Sequence, residues 1–230
     1  MTQFSRARTC LSLLFKLIVI VSAVTGTIMS AAGDRNAFMG NSTVFMYFTI
    51  QSNIAVALLS LAGAVWMLSG KPVTRAAQVI KLVGAVSITL TGVVFCFVLV
   101  PVLGGNAWNI QNVLTHVVVP VVSVLDLFVT GSCYPYRKRD IPWVIVPPLL
   151  YAVYAGIGYA AKWEFAPGTH YPYFFLNWGS PAGAFGFSDE LPFMGCMWWI
   201  LLLLLFLLAV SAVYLLLLRL FRPHGTKKAA

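Results

Sequence analysis

Five stretches without a single Asp, Glu, Lys or Arg, residues 17–33, 36–70, 82–125, 141–161 and 191–218, occupy most of this chain. A bilayer's hydrocarbon core is crossed by about 20 helical residues, so such runs read as membrane spans. The third is 44 residues long, too long for one crossing. It contains Pro101, Gly104, Gly105, Asn106 and Asn109, and backbone interrupted there needs partners that lipid does not offer. It divides into helices near 82–100 and 112–130, giving six spans. The expected fold is an all-α integral membrane bundle over residues 1–221, with 222–230 as a basic tail. Only 9% of the residues are charged, against about a quarter in soluble domains, which argues against a soluble enzyme.

The formal charge of +9 follows from topology. One face of a six-span bundle carries Arg6, Arg8, Lys16, Lys71, Arg75, Lys81, Arg137, Lys138, Arg139, Arg219, Arg222, Lys227 and Lys228, and the other only Arg35 and Lys162. The positive-inside rule then puts both termini in the cytoplasm and the loops at 31–43, 101–111 and 162–190 outside. No nucleic-acid partner is needed to account for the basic residues. Short loops and a compact basic tail suit a bacterial inner-membrane protein. Arg6, Arg8 and Lys16 ahead of an apolar run ending at Ser30-Ala31-Ala32 also fit a secretory signal, but the run exceeds the usual core of ~7–15 residues, so an uncleaved first helix is expected. Cys10, Cys96, Cys133 and Cys196 sit in or beside apolar runs without a CxxC, which indicates neither a disulfide framework nor a zinc site. With no HExxH and no histidine-carboxylate cluster in one span, no metal and no cofactor are expected.

Polar groups inside spans are the candidates for function, because lipid penalises them. In the second helix, expected from Val44, residues Thr49, Ser52 and Asn53 share one face at spacing i, i+3, i+4. In the fourth, Asn112 and His116 lie at i, i+4, followed by Pro120 and Asp126. His116 is the one histidine within an expected span. Counting from the outer ends at 1.5 Å per residue puts Thr49 about 7.5 Å deep and His116 about 6 Å deep, at a common level. Asp126 lies about 15 Å nearer the cytoplasm, too far to complete a triad, and is expected to pair with Lys81 or with Arg137 or Arg139, a proton relay being the alternative. The bland reading of Thr49 is a hydroxyl bonded one turn back, and of Ser52 and Asn53, contacts between helices.

A threonine hydroxyl attacks a carbonyl only when a base within reach takes its proton, and His116 can serve as that base and then protonate the leaving alkoxide. An oxyanion donor is also required. Asn53 is the candidate, with Tyr173 behind it, and Asn112 would orient the imidazole. The outer loop carries Trp163, Phe165, His170, Tyr171, Tyr173, Phe174, Phe175 and Trp178. It reads either as an interfacial aromatic belt or as a lid over a pocket in which Tyr47, Ser52, His170, Tyr171 and Phe174 would contact substrate.

The Tyr47-Phe48-Thr49 entry to the second helix, Asn112-x-x-x-His116 followed by a proline, and the Tyr171-Pro172 aromatic run to Leu176 resemble the androgen-induced and androgen-dependent membrane protein family. That resemblance spans about residues 44–178 and implies a multi-helix membrane protein. It also implies an intramembrane threonine hydrolase of fatty acid esters of hydroxy fatty acids, with Thr49 as nucleophile, His116 as base and a membrane lipid as substrate. The residues alone also admit a non-enzymatic lipid-binding or transport protein using Asp126 and His116, or a structural subunit packed through Gly156-x-Gly158.

Overall fold

The computed structural model describes residues 5–33, 41–104, 107–131 and 133–221. Six helices are long and apolar enough to cross a membrane: α1 (Arg6–Ala31), α2 (Phe48–Leu68), α3 (Arg75–Leu103), α4 (Ile110–Gly131), α5 (Lys138–Ala160) and α6 (Cys196–Leu220). Among the described residues there is no strand, only two isolated bridges in the α5–α6 loop. The chain is therefore a multi-pass, six-helix membrane bundle, and the 222–230 tail lies outside the described residues.

The 44-residue stretch does split in two. Gly104 leaves α3 at φ 72, a conformation glycine adopts without a Cβ penalty. Asn109 then starts α4 by accepting the Asn112 N–H on its side-chain oxygen at 2.9 Å. Pro101, expected to help break the stretch, instead lies inside α3. A turn of π-helix at Phe95–Leu99 precedes it, and a second at Leu114–Val118 precedes Pro120 in α4. A proline ring clashes with the carbonyl four residues back and offers it no N–H. Widening the preceding turn moves that carbonyl aside, so both helices continue.

α1 is a polar stripe turned inward. Ser12, Lys16, Val19, Ala23, Gly26 and Ser30, three or four residues apart, are buried, while Leu14, Leu17, Val21, Val24 and Ile28 are exposed on the opposite side. Small residues let membrane helices approach closely. A Cβ on Gly26 would lie 2.6 Å from the Thr115 methyl of α4.

Toward the basic face, α1, α3 and α4 meet at Asp126. Its Oδ2 receives Lys16 Nζ at 2.7 Å and Lys81 Nζ at 2.6 Å, and Ser12 donates its hydroxyl to Oδ1. Lys81 is the expected partner, but Lys16 takes the place assigned to Arg137 or Arg139. Arg137 instead meets a carboxylate three residues away, donating its backbone N–H to Asp140, which also receives Arg75. Removing one member of a buried ion cluster leaves uncompensated charge, which costs about 3–5 kcal/mol. Asp126→Ala should therefore sharply lower the thermal unfolding midpoint in detergent. Lys16→Met, which leaves the Lys81–Asp126 pair neutral, should change it far less.

Candidate functional site

The site forms where the first turn of α2 faces the π turns of α3 and α4. α2 begins at Phe48, with a short 3₁₀ helix at Asn41–Met46 ahead of it. Thr49 is thus the second residue of its helix, not the sixth as expected from a start at Val44. His116 lies six residues into α4. The two nevertheless meet: Thr49 Oγ1 is 3.4 Å from His116 Nε2, and both residues are buried.

Three contacts hold the imidazole. Its Nδ1 lies 3.0 Å from the Asn112 carbonyl and 3.0 Å from Thr115 Oγ1. The Thr115 hydroxyl donates its own proton to the Gln111 carbonyl at 2.8 Å, so both neighbours of Nδ1 are acceptors. The proton therefore sits on Nδ1, and the lone pair of Nε2 faces the Thr49 hydroxyl. This is the tautomer that a base for Thr49 requires. Phe95, from the π turn of α3, stacks on the ring with centroids 3.9 Å apart. Behind it, Gly92 packs on the His116 carbonyl, which Pro120 leaves without an N–H partner four residues on.

The α2 terminus supplies the other half. Its N-cap, Tyr47, has no capping side-chain bond, and first-turn N–H groups need partners from outside the helix. Tyr173 of the outer loop provides one, its hydroxyl oxygen accepting the Thr49 N–H at 3.3 Å. That oxygen also lies 3.4 Å from Thr49 Oγ1. Burial pushes the Tyr173 phenol above its ordinary value, so at neutral pH it carries a proton to donate.

Asn53 acts differently from the expectation, whereas Asn112 does meet the imidazole from one turn above. Asn53 Nδ2 donates to the Thr49 carbonyl at 2.8 Å and the Thr115 carbonyl at 3.1 Å. Both amide hydrogens are engaged, so Asn53 is not an oxyanion donor. It ties the backbone of α2 to that of α4 and sets the register of Thr49 against His116. Asn112 orients the ring through its main-chain carbonyl, its side chain donating instead to the Ala107 carbonyl.

The expected substrate contacts are mostly displaced as well. Ser52 Oγ donates to the Thr49 carbonyl at 3.0 Å and lies 2.8 Å from Thr91 Oγ1, bracing α2 against α3. Tyr47 is fully buried and donates to the Phe165 carbonyl at 3.0 Å, anchoring the outer loop. His170 Nδ1 lies 3.2 Å from the Trp163 carbonyl within that loop. Tyr171 is half-buried, and Phe174 packs on Phe175 and Trp199. None of these five residues lines a cavity at Thr49. Phe165, Tyr173, Phe175 and Leu176 turn into the bundle core, so this part of the loop is a wall of the site. Phe185 and Phe187 stay exposed.

Two cavities reach Thr49 from opposite sides. An apolar one of about 60 Å³ runs toward α5 and α6, past Leu90, Val94, Tyr151, Leu176, Ile200 and Leu203. The other, about 100 Å³, lies toward the α1 end of the outer face and is lined by Ser30, Gln111, Asn112, Thr115 and His116. Comparison with protein-family models, with curated proteins and with solved structures finds no match.

Thr115, Phe95 and Leu176 complete the site without having been assigned a role in it. Thr115 stands next to the histidine and was visible in principle. Phe95 comes from another helix, and nothing in its own neighbourhood marks it. A Cβ on Gly92 would stand 2.8 Å from the His116 carbonyl, backbone that cannot yield without moving the ring. Gly92→Ala should lower the unfolding free energy by about 1–3 kcal/mol, read from denaturation in detergent.

Proposed function

We propose that the protein is an intramembrane threonine hydrolase that cleaves lipid esters near the outer surface of a bacterial inner membrane. The observation that carries this reading is the 3.4 Å approach of Thr49 Oγ1 to the unprotonated Nε2 of an imidazole held through Nδ1. Catalytic hydrogen bonds are often long before substrate binds and shorten in the reacting complex.

In the proposed sequence, Thr49 Oγ1 attacks the ester carbonyl carbon while Nε2 takes its proton. The imidazolium then protonates the departing alkoxide, leaving an acyl-threonine. Water activated by the same nitrogen adds to that acyl carbon, and collapse of the adduct returns the proton to Thr49 and releases the acid. Tyr173 takes the part of oxyanion donor, since its hydroxyl oxygen lies 3.4 Å from Thr49 Oγ1 and its proton is free to rotate toward the oxygen of a carbonyl bound there. The apolar cavity suits the acyl arm, whose tail would continue along the half-buried surface of α5 and α6. The polar cavity beside His116 suits the alcohol and the attacking water. Resemblance to the androgen-induced and androgen-dependent membrane proteins points the same way and suggests fatty acid esters of hydroxy fatty acids as substrates.

Lipid binding or transport through Asp126 has less support, because both carboxylate oxygens of Asp126 are engaged by Lys16, Lys81 and Ser12. A fluorophosphonate probe followed by peptide mapping is expected to label Thr49, and Thr49→Ala or His116→Ala should abolish both labelling and ester cleavage. Transport predicts instead that Asp126→Asn is the damaging change and Thr49→Val is tolerated. Loss of an oxyanion donor lowers kcat by about a hundredfold to a thousandfold. Tyr173→Phe should show that loss in steady-state hydrolysis of a long-chain ester, with little change in KM.

A further inference from the structure

A cavity of about 250 Å³, larger than either of those at Thr49, lies elsewhere in the bundle. It lies between α2 and α3 toward the basic face, where Val56, Leu59, Trp66 and Met67 wall it and Lys16, Lys81 and Asp126 are its ionisable lining. Two ammonium groups thus share one carboxylate, which leaves one positive charge without a counter-charge. The two lysines are not equivalent. Lys81 directs its three hydrogens at the Asp126 carbonyl, Asp126 Oδ2 and Thr130 Oγ1. Lys16, with only 4% of its side chain exposed, donates to Ser12 Oγ and Asp126 Oδ2, and its third ammonium hydrogen has no partner among the described residues. Buried charge in apolar surroundings is tolerated only when paired and hydrogen-bonded.

Gly63 admits the Lys16 side chain to this wall of the cavity, since a Cβ there would lie 2.8 Å from Lys16 Cε. At the mouth, Ala62 and Ile80 are exposed on the outer surfaces of α2 and α3, so the cavity opens sideways into the region of lipid tails. What such a cavity takes is an amphiphile with one negative oxygen group and one apolar tail. We propose that it binds the carboxylate of a long-chain fatty acid, held by Lys16, with the tail leaving between α2 and α3. One free ammonium hydrogen and one surplus charge match a carboxylate more closely than a phosphate, and the volume suits one chain rather than a diacyl lipid. The assignment does not depend on ester cleavage at Thr49.

The test is equilibrium binding of radiolabelled oleate to the full-length protein in phosphatidylcholine nanodiscs, with empty discs subtracted. Saturable binding is expected, displaced by unlabelled oleate and not by oleyl alcohol. Lys16→Met should weaken it about tenfold or more, as expected for a hydrogen bond to a charged group. Ile80→Trp, which narrows the mouth and keeps every charge, should weaken it too, while Thr49→Ala should leave it unchanged. Binding no greater than in empty discs, equal displacement by oleyl alcohol, indifference to Lys16→Met, or loss in Thr49→Ala would each overturn the proposal. If phosphatidylglycerol added to the discs abolishes oleate binding, the cavity belongs to the membrane's own anionic lipid and the fatty-acid assignment falls.

Discussion

An imidazole buried in a membrane bundle has to find partners for both ring nitrogens within the protein, and the architecture around His116 follows from that requirement. Nδ1 is met from its own helix, by the Asn112 carbonyl and the Thr115 hydroxyl. Nε2 is left to a different helix, and the group presented there is an alcohol. The geometry therefore does more than place two polar residues side by side. It determines which nitrogen carries the proton, and so which partner can lose one.

Backbone irregularity makes the meeting possible. Two π turns, each just ahead of a proline, face each other across α3 and α4, one carrying Phe95 and the other His116. Such turns leave local hydrogen bonding open to outside partners and recur at functional sites. The start of α2 offers unpaired N–H groups at the same level, and the outer loop meets one of them through Tyr173. Asn53, bonded to carbonyls of both α2 and α4, holds the two halves in register. A rearrangement of that amide would move nucleophile and base apart without altering the side chain of either.

The bundle has two polar centres, separated along α4 by the ten-residue step from His116 to Asp126. The outer one is uncharged in its hydrogen-bond logic and built on the main chain. The inner one is ionic and built on long side chains from α1, α3 and α4. Both lie on the inward side of helices whose opposite faces are Leu, Val and Ile. Hydrocarbon drives no apolar face inward, so small and polar residues can take inward positions beside the buried apolar core.

Hydropathy and charge alone determined the number of spans, their approximate limits and the division of the 44-residue stretch, because these depend on local properties: residues without charge long enough to cross lipid, and backbone that cannot stay unpaired there. The pairing of Thr49 with His116 was anticipated by a depth count whose starting points the structure moves, α2 beginning at Phe48 rather than Val44 and α4 at Ile110 rather than Asn112. The roles of the neighbouring side chains were not. Asn53, Asn112, Ser52 and Tyr47 were read as site groups from their polarity and position, yet each is held by a carbonyl or hydroxyl on another segment. Lys16 read as an interfacial cation and is a buried partner of Asp126. Which donor meets which acceptor depends on the rotation and approach of separate helices, and that is settled only when the bundle packs and every polar group competes for the partners within reach.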